Sequence, residues 1–141
     1  MTETPEERSR IMRAVKGSDT EPEMAVRRLA HQMGYRYRLH RSDLAGKPDL
    51  VFPGLRKVVF VHGCFWHGHD CRRGARVPVQ NREYWTRKIS RNQERDQAAQ
   101  ASLKSSGWDV AVFWECEVKD KDWTARHLRN FLAGQRPKQH T

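Results

Sequence analysis

The sequence predicts an α/β domain in which helices flank a mixed β-sheet. Segments of helical and strand periodicity follow in the order helix, three strands, helix, strand, helix, and 141 residues suffice for one domain with a real core. The chain is too short for separate catalytic and binding domains. We therefore expect a single domain over residues 19–134, between a basic N-terminal arm (1–18) and a flexible basic tail (135–141).

The first half of the chain contains a helix and three strands. The helix is predicted to begin near Thr20, with Pro22 in its first turn, and to stop at Gly34. Strands rich in apolar and β-branched residues are predicted at residues 35–39, 49–52 and 57–62, with a hairpin turn near Gly54.

A long helix is predicted over residues 81–106, followed by Gly107. Its inner stripe recurs at helical spacing and consists of Trp85, Ile89, Asn92, Asp96, Ala99 and Leu103. Asn92 and Asp96 are polar residues on a face that should be buried, and a buried carboxylate requires a partner, for which His62 is a candidate. The alternative is a slightly rotated helix with both residues in water. A strand at 108–114, Cys116 and a helix at 122–132 complete the chain.

The charge of the chain indicates a polyanionic partner. The formal net charge is +10, and arginines are interleaved with tyrosine and tryptophan, as in many nucleic-acid-binding surfaces. The alternative is a merely basic soluble protein. The N-terminal arm is either simply solvated or follows DNA phosphates.

Neither a membrane span nor a secretion signal is expected. The longest apolar run, residues 58–61, falls far short of the roughly 20 residues that a spanning helix needs. The first 13 residues are polar and charged, and three cysteines are an odd number for a disulfide framework. We therefore expect a non-secreted, cytoplasmic protein with reduced thiols.

Residues 61–71 combine three histidines with two of the three cysteines. Thiolates and imidazoles are preferred zinc ligands, so Cys64, His69 and Cys71 indicate a metal-organised loop. Spacing alone leaves open whether His67 or His69 binds the metal. Phe65 and Trp66 lie inside the same loop, where they cannot easily join the core.

Asp49 follows Pro48 at the start of the second predicted strand. A carboxylate there can bind magnesium, although Pro-Asp by itself more often marks an ordinary turn. The element order and this Pro-Asp match the core of restriction-endonuclease-like nucleases. The third strand ends in Val61-His62 without the acidic residue and lysine usual in that core, so an imidazole must handle protons.

These features together resemble the very-short-patch repair (Vsr) endonucleases from about Arg10 to Glu117. The matching segments are Arg10-Ile-Met-Arg13, Asp19-Thr20, Gly46-Lys-Pro-Asp49, His62-Gly-Cys-Phe-Trp-His67, His69, Cys71, Val77-Pro78, Trp85, Lys88-Ile89, Asn92, Glu94-Arg-Asp96, Gly107-Trp108 and Trp114-Glu-Cys116. The resemblance implies a strand-specific nickase that cuts duplex DNA 5′ of the thymine in a T:G mismatch, the product of 5-methylcytosine deamination.

The resemblance also implies roles for individual residues. Asp49 would be the central ligand of two magnesium ions, and the carbonyl of Val61 a second contact. His67 would be the general base, oriented by Glu23. The remaining active-site pair would be His62 and Asp96, and one structural zinc would be held by Cys64, His69, Cys71 and Cys116.

For DNA recognition, the resemblance implies an aromatic wedge beside the mismatch, formed by Phe65, Trp66 and Trp85. Trp85 also fits the apolar stripe of its helix. The further predicted DNA contacts are Arg10, Arg13 and Asn92. The chain departs from the family where Val61 replaces the usual threonine and where Gly68 and Asp70 replace frequent histidines.

The expected partner is duplex DNA with a T:G mismatch, mismatch-repair proteins are candidate partners, and a monomer is the default. Two other functions fit the same residues. One is a site-specific or mismatch-independent nickase. The other is a zinc-stabilised DNA-binding module without catalysis, which would leave Asp49, His62, His67 and Asp96 without a role.

Overall fold

The computed structural model describes residues 20–69, 71 and 79–134. The helices are α1 (Glu21–Gln32), α2 (Arg82–Ser105), α3 (Glu115–Val118) and α4 (Lys121–Ala133), and the strands are β1 (Arg38–Leu39), β2 (Leu50–Phe52), β3 (Lys57–His62) and β4 (Asp109–Trp114). A 3-10 turn at Pro53–Leu55 joins β2 to β3. The predicted arm and tail, with Arg10 and Arg13, lie outside the described residues.

The four strands form one mixed sheet in the order β1-β2-β3-β4. The pairs β1–β2 and β2–β3 are antiparallel, whereas β3 and β4 are parallel and joined through α2. The β2–β3 register places Leu50 opposite Val59, so that Asp49 enters the sheet close to the end of β3. The predicted mixed sheet flanked by helices is confirmed.

Helices cover both faces of the sheet. On one face α1 and α4 pack over a cluster that includes Val26, Ala30, Leu50, Phe52, Val59, Phe113, Val118, Leu128 and Leu132. On the other face α2 and the residue before β4 complete a cluster of Val51, Val58, Phe60, Leu103 and Trp108. Consecutive residues of β2 and β3 alternate between these clusters, as strand geometry requires.

The helices follow their capping signals closely. The Thr20 side chain accepts the Glu23 N–H at the start of α1, and α2 ends before Gly107, which has a φ of 88°. In the predicted stripe of α2, Ile89 and Leu103 are buried, and its other members are partly buried. Asn92 and Asp96 therefore lie on the inner side of α2 and not on a face rotated into water.

Two elements differ from the prediction. The first strand is limited to Arg38–Leu39, because the preceding Tyr35 and Tyr37 turn their rings edge-on to Phe52 instead of extending the ladder. The short helix α3 was not predicted. Its four residues carry no periodic pattern, and its first turn is held by Glu117, whose carboxylate accepts the Trp114 N–H at 3.0 Å.

A buried lysine fixes the end of α4. Lys57, 1% exposed, donates to the carbonyls of Phe131 and Gly134, the latter at 2.5 Å, and its Nζ lies 3.9 Å from the Asp109 carboxylate. The last turn of a helix has carbonyls without helical partners, and a cation there is favourable. Lys57 thus ties the start of β3 to the end of α4. Within the described residues, no helix combines the length and apolar character needed to cross a membrane.

Candidate active site and nucleic-acid interface

Three groups of histidine, cysteine and carboxylate side chains surround the end of β3. In each group the potential ligand atoms lie within 4.8 Å of one another. The groups are Glu23, His40 and Asp49; His62, His67 and Asp96; and Cys64, His69, Cys71 and Cys116. The three groups adjoin one another. Strand β3 ends in Val61 and His62, and the residues that follow form the loop that supplies members of the second and third groups.

Asp49 is held at the edge of the first group. Its Oδ2 accepts the Val61 N–H at 2.6 Å, and its Oδ1 lies 3.8 Å from His40 Nε2. Burial raises the pKa of Asp49 to about 6; the Val61 N–H opposes this rise, and the nearby Glu23 charge adds to it. A carboxylate in this state favours a bound cation, which stabilises its ionised form.

His40 and Glu23 complete this group. His40 Nε2 is 2.8 Å from Glu23 Oε2, and Glu23 also forms an ion pair with Arg27 within α1. His40 was missed from the sequence. The only signal in the sequence was a histidine directly after the first predicted strand; the observed register, in which Leu39 pairs with Leu50, brings His40 opposite Asp49. Its φ of 46° is unusual for a residue with a side chain.

The loop before Asp49 packs closely on α2 only because it contains a glycine. Gly46 has a φ of 74°, and a Cβ there would lie 2.7 Å from the Cβ of Ala99 and 3.2 Å from the Phe60 ring. The 44–47 loop can therefore lie directly on α2 only because this position has no side chain. This packing fixes the chain just before Pro48 and Asp49.

The second group is organised around His67. Its Nδ1 lies 2.5 Å from Asp96 Oδ2, and because an ionised carboxylate only accepts, we assign the proton to Nδ1. The imidazole of His62 stacks on that of His67 with ring centroids 3.9 Å apart and planes 2° from parallel. Burial, aided by the charge of His67, lowers the pKa of His62 to about 4 against an opposing effect of Asp96, so His62 is neutral at pH 7.

Asp96 lies in one group with His62, as expected, but its hydrogen bond is to His67, whose expected orienting carboxylate was Glu23. The physical reason is the layering of the domain. Glu23 belongs to α1 on one face of the sheet, whereas the loop carrying His67 packs on α2, where Asn92 donates to the Trp66 carbonyl at 2.8 Å.

The third group joins the loop to the end of β4. Cys116 Sγ is 3.5 Å from His69 Nδ1, and the Cys116 N–H points to Cys64 Sγ at 3.4 Å. Burial raises the pKa of the Cys64 thiol to about 12 and also raises that of Cys116. Tetrahedral zinc with sulfur at about 2.3 Å requires ligand atoms roughly 3.8 Å apart. The four ligand atoms of this group all lie within 4.8 Å of one another, which is compatible with such a site.

The same geometry shows that His67 and His69 have different surroundings. His69 lies among the thiols, and its ring stacks on Trp114 at 4.2 Å, whereas His67 faces Asp96. Spacing along the chain left this choice open. Glu115 was not predicted to contribute, yet its Oε1 accepts the Cys64 N–H at 3.4 Å and helps to hold the loop.

The three predicted wedge residues form one aromatic cluster. The rings of Phe65, Trp66 and Trp85 make mutual edge-to-face contacts with centroids 5.3 to 5.6 Å apart. All three residues are partly exposed. Trp85 thus joins the loop aromatics rather than the buried core, and Lys88 Nζ lies 5.2 Å from the Trp66 ring.

A basic groove of about 710 Å³ opens between this aromatic cluster and α2. Its lining consists of Trp66, His67, Tyr84, Arg87, Lys88, Arg91, Asn92 and Arg95. Of these, Arg87, Arg91 and Tyr84 were not named from the sequence, and Lys88 and Arg95 appeared only within the segments that match the family, without an assigned role. Their signal was the spacing of four between Arg87, Arg91 and Arg95, which places all three on one face of a helix.

Grouped imidazoles and carboxylates beside a basic, aromatic-lined groove are typical of enzymes that process nucleic acids. Residues 2–73 match the family described as DNA mismatch endonuclease Vsr. The chain is 52% identical over 129 residues to the type II nicking enzyme V.XorIIP of Xanthomonas oryzae pv. oryzae, covering 92% of this chain and 94% of that protein.

Two further relatives agree. The type II nicking enzyme V.NmeAIP of Neisseria meningitidis serogroup A is 42% identical, with 84% of each chain covered. The DNA mismatch endonuclease Vsr of Escherichia coli (strain K12) is 38% identical, with 82% of this chain and 73% of that protein covered. The chain therefore belongs to the Vsr family of DNA mismatch endonucleases.

Proposed function

We propose that this protein nicks one strand of duplex DNA 5′ of the thymine in a T:G mismatch, by magnesium-dependent hydrolysis of the phosphodiester. One observation carries the proposal. His67, bonded to Asp96 at 2.5 Å, also lines the basic groove, so a general base faces the surface suited to a phosphate backbone. The Vsr family membership supports the same reaction.

His67 acts as the base. Because its Nδ1–H donates a hydrogen bond to the Asp96 carboxylate, Nε2 is free to take a proton from water. The imidazolium that forms is stabilised by the Asp96 carboxylate. His62, neutral and stacked on His67, adds no competing positive charge and keeps the ring in place.

Asp49 and the carbonyl of Val61 are the proposed magnesium ligands, with Glu23 and His40 around them. Magnesium held there would supply polarisation of the scissile phosphate and stabilisation of its developing charge. The Val61 N–H holds the Asp49 carboxylate in place. Because this contact uses the backbone, it does not depend on a side-chain hydroxyl at position 61.

Zinc has a structural role in this proposal. Cys64, His69, Cys71 and Cys116 would fill its four positions and leave none for a catalytic water. The ligands hold the loop so that His67 points to the groove and Phe65 and Trp66 meet Trp85. The aromatic cluster would then enter the base stack, where a mispaired step costs least to unstack.

The proposal is tested by nicking of a labelled T:G duplex in magnesium. We expect cleavage of the thymine strand, and we expect Asp49→Ala to abolish nicking while DNA binding persists. Asp43→Ala is the matched control, because Asp43 is an exposed carboxylate nearby in the chain that pairs only with Arg41 among the described residues. Equal nicking by Asp49→Ala and the wild type would refute this mechanism.

A second candidate is a site-specific nickase that does not require a mismatch. It is favoured by the names of two relatives, which are type II nicking enzymes. A panel of all mismatches and matched duplexes in varied flanking sequences separates the two. Cutting of matched duplexes at the T:G rate supports the second candidate, and binding without cleavage in both magnesium and manganese supports a DNA-binding module alone.

A further inference from the structure

Three arginines of α2 line the basic groove and are solvent-exposed. They are Arg87, Arg91 and Arg95. None of the ion pairs found among residues 20–69, 71 and 79–134 involves them. Three like charges at successive helical turns repel one another, so this arrangement stabilises neither the helix nor the fold. Its charge remains available to an external anion.

The spacing of these arginines suits a nucleic-acid backbone. Residues four apart on a helix are separated by about 6 Å along its axis, so Arg87 and Arg95 are about 12 Å apart. One strand of B-DNA carries a phosphate for each 3.4 Å or so of duplex axis, and 12 Å therefore spans about three to four phosphates. The planar guanidinium group also binds phosphate in a bidentate manner.

The two ends of this row adjoin the two functional parts of the site. Arg95 precedes Asp96, the carboxylate bonded to His67. Arg87 precedes Lys88, whose Nζ lies over the rings of Trp66 and Trp85 in the aromatic cluster. The row thus runs from the proposed base to the proposed wedge along one rigid helix.

We propose that Arg87, Arg91 and Arg95 form a phosphate track that binds the backbone of duplex DNA between the aromatic cluster and His67. This inference rests on the proposed nicking function and adds to it a positioning device. The rigid helix α2 would thereby fix the distance between the aromatic cluster and the cleaved bond.

The track is tested through the salt dependence of DNA binding, measured on a T:G duplex without added magnesium so that no cleavage occurs. Each phosphate contact contributes about 0.9 to the slope of log K against log salt. The triple variant Arg87→Gln, Arg91→Gln, Arg95→Gln should lower that slope by about 2.7. When the salt concentration is raised from 50 to 200 mM, the factor by which the triple variant loses DNA affinity should then be about 40-fold smaller than the factor for the wild type.

Three further proteins control this result. The matched variant Lys121→Gln, Arg126→Gln, Arg129→Gln removes the same charge from exposed positions of α4, on the other side of the sheet, and should lower the slope far less. Replacing the three α2 arginines by lysine should restore most of the slope. The single change Arg91→Gln should lower it by about 0.9 and avoids any folding defect of the triple variant.

The outcomes separate the track from the nicking function. An unchanged slope in both glutamine variants of α2, or an equal fall in the α4 variant, would overturn the track while leaving nicking intact. Failure of the wild-type protein to bind the duplex at all would instead overturn the proposed function and the track with it.

Discussion

At the scale of single residues, the contact between His67 and Asp96 gives the site its proposed chemistry. Asp96 lies on the inner side of α2, where a carboxylate would be costly without a partner, and the His67 imidazole supplies one. The sequence pointed to Asp96 because it interrupts an apolar stripe. It could not identify the partner, because the partner depends on which helix the loop packs against.

We expect Asp96→Asn to lower the single-turnover nicking rate by about 10²- to 10⁴-fold. An amide can donate to Nδ1 and thereby place the imidazole proton on the nitrogen that must accept one from water. DNA affinity and zinc content should stay unchanged. Glu94→Gln, an exposed change on the same helix, should nick at the wild-type rate, and an active Asp96→Asn would remove Asp96 from the mechanism.

The raised pKa of Asp49 predicts how the nicking rate depends on pH. Burial raises its pKa to about 6, and only the ionised carboxylate binds magnesium well. At limiting magnesium, nicking should therefore fall as the pH drops through about 6. More magnesium competes with the proton and should move the midpoint to lower pH. Rate profiles at two magnesium concentrations check this, and a midpoint independent of magnesium would contradict it.

At the scale of elements, the sequence predicts most of the fold but not the packing of the loops. The four strands and three longer helices follow from periodicity and caps, and Lys57–His62 occurs with the predicted bounds. β1 is shorter than expected because Tyr35 and Tyr37 pack on Phe52. The place of His40 beside Asp49 depends on strand register, a long-range property that local patterns do not fix.

The loop of residues 63–69 lies against α2 through Gly68. Its φ is 62°, and a Cβ there would come within 2.6 Å of Ile89 Cγ2. Gly68→Ala should therefore destabilise the protein by about 1–2 kcal/mol from backbone strain alone and weaken nicking through His67. Gly54→Ala, which meets no atom within 4 Å, is the control. Thermal unfolding of both variants measures the difference, and equal melting temperatures would contradict this packing.

At the scale of the whole molecule, one loop connects the catalytic and recognition surfaces. Cys64 and His69 approach Cys116 beyond β4, His67 meets Asp96 on α2, and the loop aromatics meet Trp85. The three attachments lie within six consecutive residues. We therefore expect loss of a proposed zinc ligand to impair the zinc site, the base and the wedge together.

The most direct measurement compares Cys116→Ala with the wild type for zinc content, nicking rate and preference for T:G over matched DNA, in the same preparation. Cys116 contacts neither His67 nor the aromatic cluster among the described contacts, so any effect on them must pass through the loop. The account predicts loss of zinc together with loss of both nicking and mismatch preference. Retention of both activities by a zinc-free Cys116→Ala protein would contradict it.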